Sequence, residues 1–273
     1  MIRKGFRLLP VFALVCLLSC QQAARESTSG KVLEKKQLPE KAEEKENLFN
    51  VHFQNRVAQF ERENAQLPAD RKNIVFVGDS LTEGFQADKW LPNKPVLNRG
   101  VGGDGLINYL DSPRKQGLVN RLDSSIFNTN PKAVFLLIGS NHMPRIDSTL
   151  QELIEGWRHV AERTREECPD ATLVLHTLPP PGRKHPEFWY FRGRAQAFNR
   201  LIRNYAEEEA LPLIDLENLL ANKEGNLPDN ITPDGLHFTE TGYRTWADAV
   251  KEVLANSNSA IPEPTPTIEP PKW

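Results

Sequence analysis

The sequence predicts a three-layer α/β/α sandwich around a five-stranded parallel sheet. Two observations carry that expectation. Five short, nearly continuous apolar runs recur along the chain, and stretches with helical spacing fall between them. Strands buried on both faces read as unbroken apolar runs, and their alternation with helices builds a parallel sheet covered on both sides. A length of 273 residues with 39% hydrophobic content suffices for one such domain plus tails.

The chain begins with a basic cluster, Arg3, Lys4 and Arg7, and a short apolar segment from Leu8 to Leu18. That segment is too short to span a bilayer and reads as a secretory signal. Its end, Leu17-Leu18-Ser19-Cys20, resembles the bacterial lipobox. The resemblance implies a signal peptide over residues 1–19, cut before Cys20, which then carries the lipid. The chain is accordingly expected in the bacterial cell envelope, anchored to a membrane on its periplasmic or outer face. Each buried acyl methylene contributes about 0.8 kcal/mol, so two or more chains anchor a protein stably. Residues 20–46 are polar and mixed in charge, and they read as a disordered tether.

The domain is expected over residues 47–256. It opens with Phe49, Phe53, Val57 and Phe60, whose spacing marks one face of a helix ending before Leu67-Pro68. Ile74 to Val77 form the first strand, and Gly78-Asp79-Ser80 follow at once. Val96 to Arg99 form the second, which runs into Gly100-Val101-Gly102-Gly103-Asp104-Gly105. So many glycines imply special backbone angles, or backbone brought close to a ligand. The loop lacks the Gly-Lys-Ser ending of a phosphate loop. Ala133 to Ile138 form the third strand and lead into Gly139-Ser140-Asn141-His142. Ser148 and Gln151 are spaced as a capping box for the helix carrying Leu153, Ile154, Trp157 and Val160. Cys168-Pro169 stops that helix. Leu173 to Leu175 and Leu213 to Asp215 supply the last two strands. Phe198, Leu201, Ile202 and Tyr205 mark a helix between them, and Tyr243, Trp246, Val250 and Leu254 mark the final one. Residues 257–273 are a proline-rich tail, expected to be extended.

The formal net charge is −2, with no basic stripe, so nucleic acid is not an expected partner. The three cysteines, Cys16, Cys20 and Cys168, make no disulfide framework. No Cys/His cluster has zinc spacing, so neither a metal nor any other cofactor is expected.

Three strand ends thus carry polar clusters, and a fourth cluster stands at Asp234-Gly235-Leu236-His237. A serine just past a central parallel strand lies where open α/β sheets place their ligands. To act as a nucleophile it needs a base, and the base needs an orienting acid. Asp234 and His237, three residues apart in a turn, can face the same way. Each cluster also has a plain alternative, namely a helix cap or a turn.

Taken together, the four clusters resemble the blocks of the SGNH (GDSL-type) hydrolase family, in the family's order. Gly78-Asp79-Ser80-Leu81 is similar to its nucleophile block, and Asn98-Arg99-Gly100-Val101-Gly102-Gly103-Asp104 to its glycine block. Gly139-Ser140-Asn141 and Asp234-Gly235-Leu236-His237-Phe238 resemble the other two. With Gly242, Tyr243 and Trp246, the pattern looks closest to the branch of platelet-activating-factor acetylhydrolase catalytic subunits. The resemblance covers about residues 66 to 254 and implies a flavodoxin-like sheet. It also implies a catalytic triad of Ser80, His237 and Asp234, and an oxyanion hole completed by Gly103 and Asn141. The one departure is His142, where the family usually has aspartate.

The implied activity is a serine esterase acting on small acyl esters, acetyl foremost, of a carbohydrate or lipid. Two alternatives stay open at this level. One is an O-acyltransferase using the same residues. The other is a catalytically silent surface lipoprotein that binds glycans or a partner. Oligomeric state is not legible.

Overall fold

The computed structural model describes residues 40–108, 116–145 and 147–259. The chain divides into two units, Met1–Glu43 and Glu44–Trp273, and the sheet belongs to the second. Cys20, the signal segment and most of the tail lie outside the described residues.

Five parallel strands form one sheet: β1 (Asn73–Gly78), β2 (Val96–Gly100), β3 (Pro131–Leu137), β4 (Thr172–His176) and β5 (Leu213–Ile214). Their order across the sheet is β2-β1-β3-β4-β5. The helices are α1 (Glu40–Asn64), α2 (Ser80–Glu83), α3 (Ala87–Trp90), α4 (Leu122–Ser125), α5 (Leu150–Glu167), α6 (Pro186–Tyr190), α7 (Arg192–Glu208), α8 (Leu216–Leu220) and α9 (Glu240–Ser259). The predicted fold class stands, and each expected strand is present.

The core explains why the apolar runs are strands. Every residue of β1 is buried, because helices cover both faces of the sheet. On one side Phe76 stacks on Phe85 at 4.6 Å and on Phe135 at 4.9 Å, and Trp246 of α9 closes the cluster against Phe85. Aromatic pairs at these separations add to simple area burial. Trp246 also donates through Nε1 to His176 Nε2 at 3.0 Å, and His176 Nδ1 lies 3.0 Å from the Leu136 carbonyl. Burial holds that imidazole down at about pH 4, so it stays neutral and tethers α9 to β3. On the other side Trp157 of α5 is fully buried, donates to the Ile138 carbonyl and meets Phe198 of α7 edge-on.

Three local expectations need correction. The tether does not run to residue 46, because α1 already begins at Glu40. The final helix continues past residue 256 to Ser259. The capping box of α5 is Thr149 with Glu152, one residue later than the Ser148–Gln151 pair. A carboxylate at the third helical position accepts from the cap amide better than Gln151 could, and Thr149 has the extended ψ of 160° that a cap requires.

The strand order places the site. After β1 the chain crosses to β2 on one side, then returns to β3 on the other. Such a reversal opens a crevice at the carboxyl ends of the two strands. Ser80 follows β1 and Asn141 follows β3, so both stand at that crevice.

Candidate active site

The turn after β1 is as tight as the sequence permits. A Cβ at Gly78 would collide with the Leu137 carbonyl and the Thr82 hydroxyl, so only glycine fits there. Asp79 then caps α2 by accepting the Leu81 amide at 3.1 Å. Its carboxyl is sealed from water, and burial raises it to about pH 7. Asp79 therefore shapes the turn. Ser80 opens α2, so its own N–H has no partner within the helix.

The hydroxyl of Ser80 lies 3.0 Å from His237 Nε2. On the far side of the ring, His237 Nδ1 lies 2.7 Å from Asp234 Oδ2. The other Asp234 oxygen accepts the backbone amides of Leu236 and His237, at 2.9 and 2.8 Å. Burial pushes the Asp234 carboxyl up, but the His237 ring and these two amides outweigh it and hold it at about pH 2. Asp234 is thus an acceptor at any ordinary pH, and it orders the His237 ring with Nε2 toward the serine. The three residues come from opposite ends of the sequence, 157 positions apart at the widest.

Between β2 and α4 runs the glycine loop. Gly103 has a φ of +75°, and Phe49 of α1 packs against it so closely that a Cβ would sit 3.0 Å from the ring. The Gly103 N–H makes no hydrogen bond among the described residues. Asn141 donates through Nδ2 to the Asp104 carbonyl at 2.8 Å, which leaves its second amide hydrogen to spare. Ser80, Gly103, Asn141 and His237 all line one cleft of about 800 Å³. The other walls are Leu48, Phe49 and His52 from α1 and His185, Glu187 and Phe188 around α6.

His142, the departure from the family pattern, does not line this cleft. It is fully buried, and its Nε2 accepts the amides of Leu106 and Ile107 at 3.0 and 3.4 Å. Burial, reinforced by Arg145 and Arg194, lowers its pKa to about 3. A neutral imidazole can accept those amides, and a protonated one cannot. His142 therefore holds the loop and does not touch the space around Ser80.

Two supports were not legible from spacing. Arg121 is buried and bonds Asp104 at 2.8 Å, the Arg99 and Gly78 carbonyls at 2.9 Å each, and Ser125 at 2.8 Å. One guanidinium thus ties the ends of β1 and β2 to the glycine loop. Asp104 stood in the glycine block, but nothing in the sequence named its partner. The second support is Glu83, which accepts the Gly102 amide while contacting His52 and Arg56 of α1.

A family model, the GDSL-like lipase/acylhydrolase family, matches residues 76–245. The chain belongs to that family. The matched span includes Ser80, Gly103, Asn141, Asp234 and His237, and excludes α1. Among solved structures, one described as a platelet activating factor from Streptococcus pneumoniae superposes with a TM-score of 0.68 at 21% identity, over 78% of this chain and 97% of that one. A GDSL-like lipase from Bacteroides thetaiotaomicron gives 0.62 at 20% identity, over 74% and 98%. An acetyl xylan esterase gives 0.53 at 22%, over 67% and 99%. At these identities the likeness is one of fold. The chain also matches an N-acylneuraminate cytidylyltransferase from Escherichia coli, 22% identical over 187 residues, which is 67% of this chain and 40% of that protein. It therefore spans about two fifths of the length of that relative.

Proposed function

We propose that the protein is a serine esterase that hydrolyses small acyl esters, acetyl foremost, of a carbohydrate or lipid. The observation that carries this is the unbroken chain from Ser80 through His237 to Asp234, opening into the same cleft as Gly103 and Asn141. His237 takes the Ser80 proton as the oxygen attacks the ester carbonyl, and Asp234 stabilises the imidazolium that results. The carbonyl oxygen becomes an oxyanion, met by the Ser80 and Gly103 N–H groups and the spare Asn141 amide hydrogen. Collapse expels the alcohol, protonated by His237, and leaves an acyl-serine. Water, deprotonated by His237, then releases the acid and restores the serine.

The preference for a small acyl group rests on Phe49, whose ring crowds the backbone beside the oxyanion position. The acetyl xylan esterase among the similar structures acts on such an ester; the acetylhydrolase branch remains our reading of Gly242, Tyr243 and Trp246. Through its hydroxyl, Tyr243 bonds the Leu81 carbonyl at 3.1 Å and braces the nucleophile turn. We further propose that Cys20 carries lipid and anchors the enzyme in the cell envelope.

The test is a panel of acyl esters and acetylated glycans, with fluorophosphonate labelling. Wild type should be labelled, and Ser80→Ala should lose labelling and nearly all turnover at an unchanged melting temperature. Turnover surviving in Ser80→Ala would remove the serine mechanism.

A further inference from the structure

The family match begins at residue 76, yet α1 (Glu40–Asn64) forms one wall of the cleft. Its contacts converge on the glycine loop. Arg56 donates to the Gly100 carbonyl through Nη2 at 3.0 Å and Nε at 3.2 Å. Glu83 Oε2 accepts the Gly102 amide at 2.5 Å and lies 3.1 Å from His52 Nε2, while Glu83 Oε1 lies 3.3 Å from Arg56 Nε. Farther along, Asn141 bonds the Asp104 carbonyl and His142 bonds the Leu106 amide. The loop is therefore gripped at every second residue from Gly100 to Leu106. Gly103 falls in the middle, with its N–H left open.

A loop with glycine at positions 100, 102, 103 and 105 has unusual backbone freedom, so its shape depends on these anchors. Glu83 is the anchor nearest the chemistry. It stands at the end of the short helix that Ser80 begins, and its carboxylate meets the Gly102 amide next to Gly103. We propose that Glu83, held by His52 and Arg56 of α1, is a positioning residue for acyl transfer: it sets the Gly102–Gly103 backbone so that the Gly103 N–H faces the oxyanion. The proposal rests on the esterase reading above. It gives α1 a part in catalysis, although that helix supplies no residue of the triad.

Two other features fit a positioning role. The Glu83 side chain is 27% exposed, so its pairs with α1 are partly screened and contribute little to global stability. Phe49, one turn from His52, packs on Gly103 itself, so α1 restrains the same loop from a second direction.

The experiment uses the full chain with p-nitrophenyl acetate and a fluorophosphonate. Glu83→Ala should lower kcat by about 10- to 100-fold, the scale of a small misplacement of a catalytic group. KM should stay within about threefold of wild type, because the donor matters mainly in the transition state. Glu83→Gln, whose amide oxygen can still accept the Gly102 N–H, should recover much of the loss. The His52→Ala/Arg56→Ala pair should fall between Glu83→Ala and wild type. Wild-type kcat in Glu83→Ala, or a loss that Glu83→Gln does not recover and that tracks a falling melting temperature, overturns the proposal. If Glu83→Ala has no thermal transition, the paired α1 variant decides: a lower kcat with an intact transition supports positioning, and an unchanged kcat overturns it. If wild type itself is neither labelled nor active, the esterase reading fails and takes this inference with it. Labelled, active wild type beside an equally active Glu83→Ala removes only the role of Glu83.

Discussion

The Asp234–His237 pair leaves its side chains 46% and 43% exposed, whereas the Asp104–Arg121 pair across the cleft is 0% and 1% exposed. The two halves of the candidate site therefore work in different media. Behind the glycine loop, Asp104 and Arg121 are removed from water and satisfy one another, so the backbone that carries the open donor is held before any substrate arrives. Donors fixed in this way need no reorganisation when charge appears. The base half stays wet. Its pairing is screened, but water can reach the imidazole, as a deacylation step requires. Under the proposed esterase reading, rigidity falls where the oxyanion would form and access where water would enter.

Substitutions in the two halves should consequently separate activity from stability. The largest expected effect is on turnover from the exposed half. Asp234→Asn should lower kcat by about 10⁴-fold, the scale seen when the acid of such a triad becomes an amide. Its melting temperature should stay near wild type, since the pair it breaks is solvent-exposed. Kinetics and a thermal scan on one preparation check this, and a large drop in melting temperature would show that the turn is structural.

The buried half should behave in the opposite way. Arg121→Ala strands the Asp104 carboxyl away from water and frees the Gly78 and Arg99 carbonyls. Removing one partner of a buried pair costs about 3–5 kcal/mol. Denaturant unfolding should show that loss before any kinetic effect is considered. Near-wild-type stability would mean that water enters the Asp104 site.

The smallest effect sharpens the comparison through pH. His142 titrates near pH 3 when folded and near 6.5 in its ordinary state. Between those values the unfolded chain binds a proton that the folded one refuses. Its contribution to stability is therefore complete above pH 6.5, falls as pH drops through that window, and stops changing below about 3. One pH unit below the ordinary value the loss is about 1.4 kcal/mol. His142→Asn should flatten that part of the stability profile, as urea unfolding at a series of pH values would show. An unchanged slope would assign the acid sensitivity to another group.

Most of the fold, and the residues that meet in the candidate site, were legible in the sequence, and for a definite reason. Strands buried on both faces must be apolar throughout, so Ile74 to Val77 and Ala133 to Ile138 announced themselves. Short polar clusters follow such strands, so Ser80 and Asn141 stood out as candidates from their place alone, whereas Asp234 and His237 lie in a loop and were named through the family resemblance. Boundaries were less legible. The cap of α5 slipped from Ser148 to Thr149, because adjacent hydroxyl residues differ only in which one the helix uses. The start of α1 at Glu40 lay within a charged stretch that carries no apolar periodicity.

What the sequence by itself determined is the set of strands, their alternation with helices, and the residue types at each strand end. Tertiary structure alone decided the partners: Arg121 with Asp104, His142 with the Leu106 amide, and α1 with the glycine loop through Glu83. Periodicity and motif spacing report on neighbours along one element. These pairs join residues 17 to 36 positions apart, and they exist only once the sheet has formed and the segments that connect its strands have packed against one another.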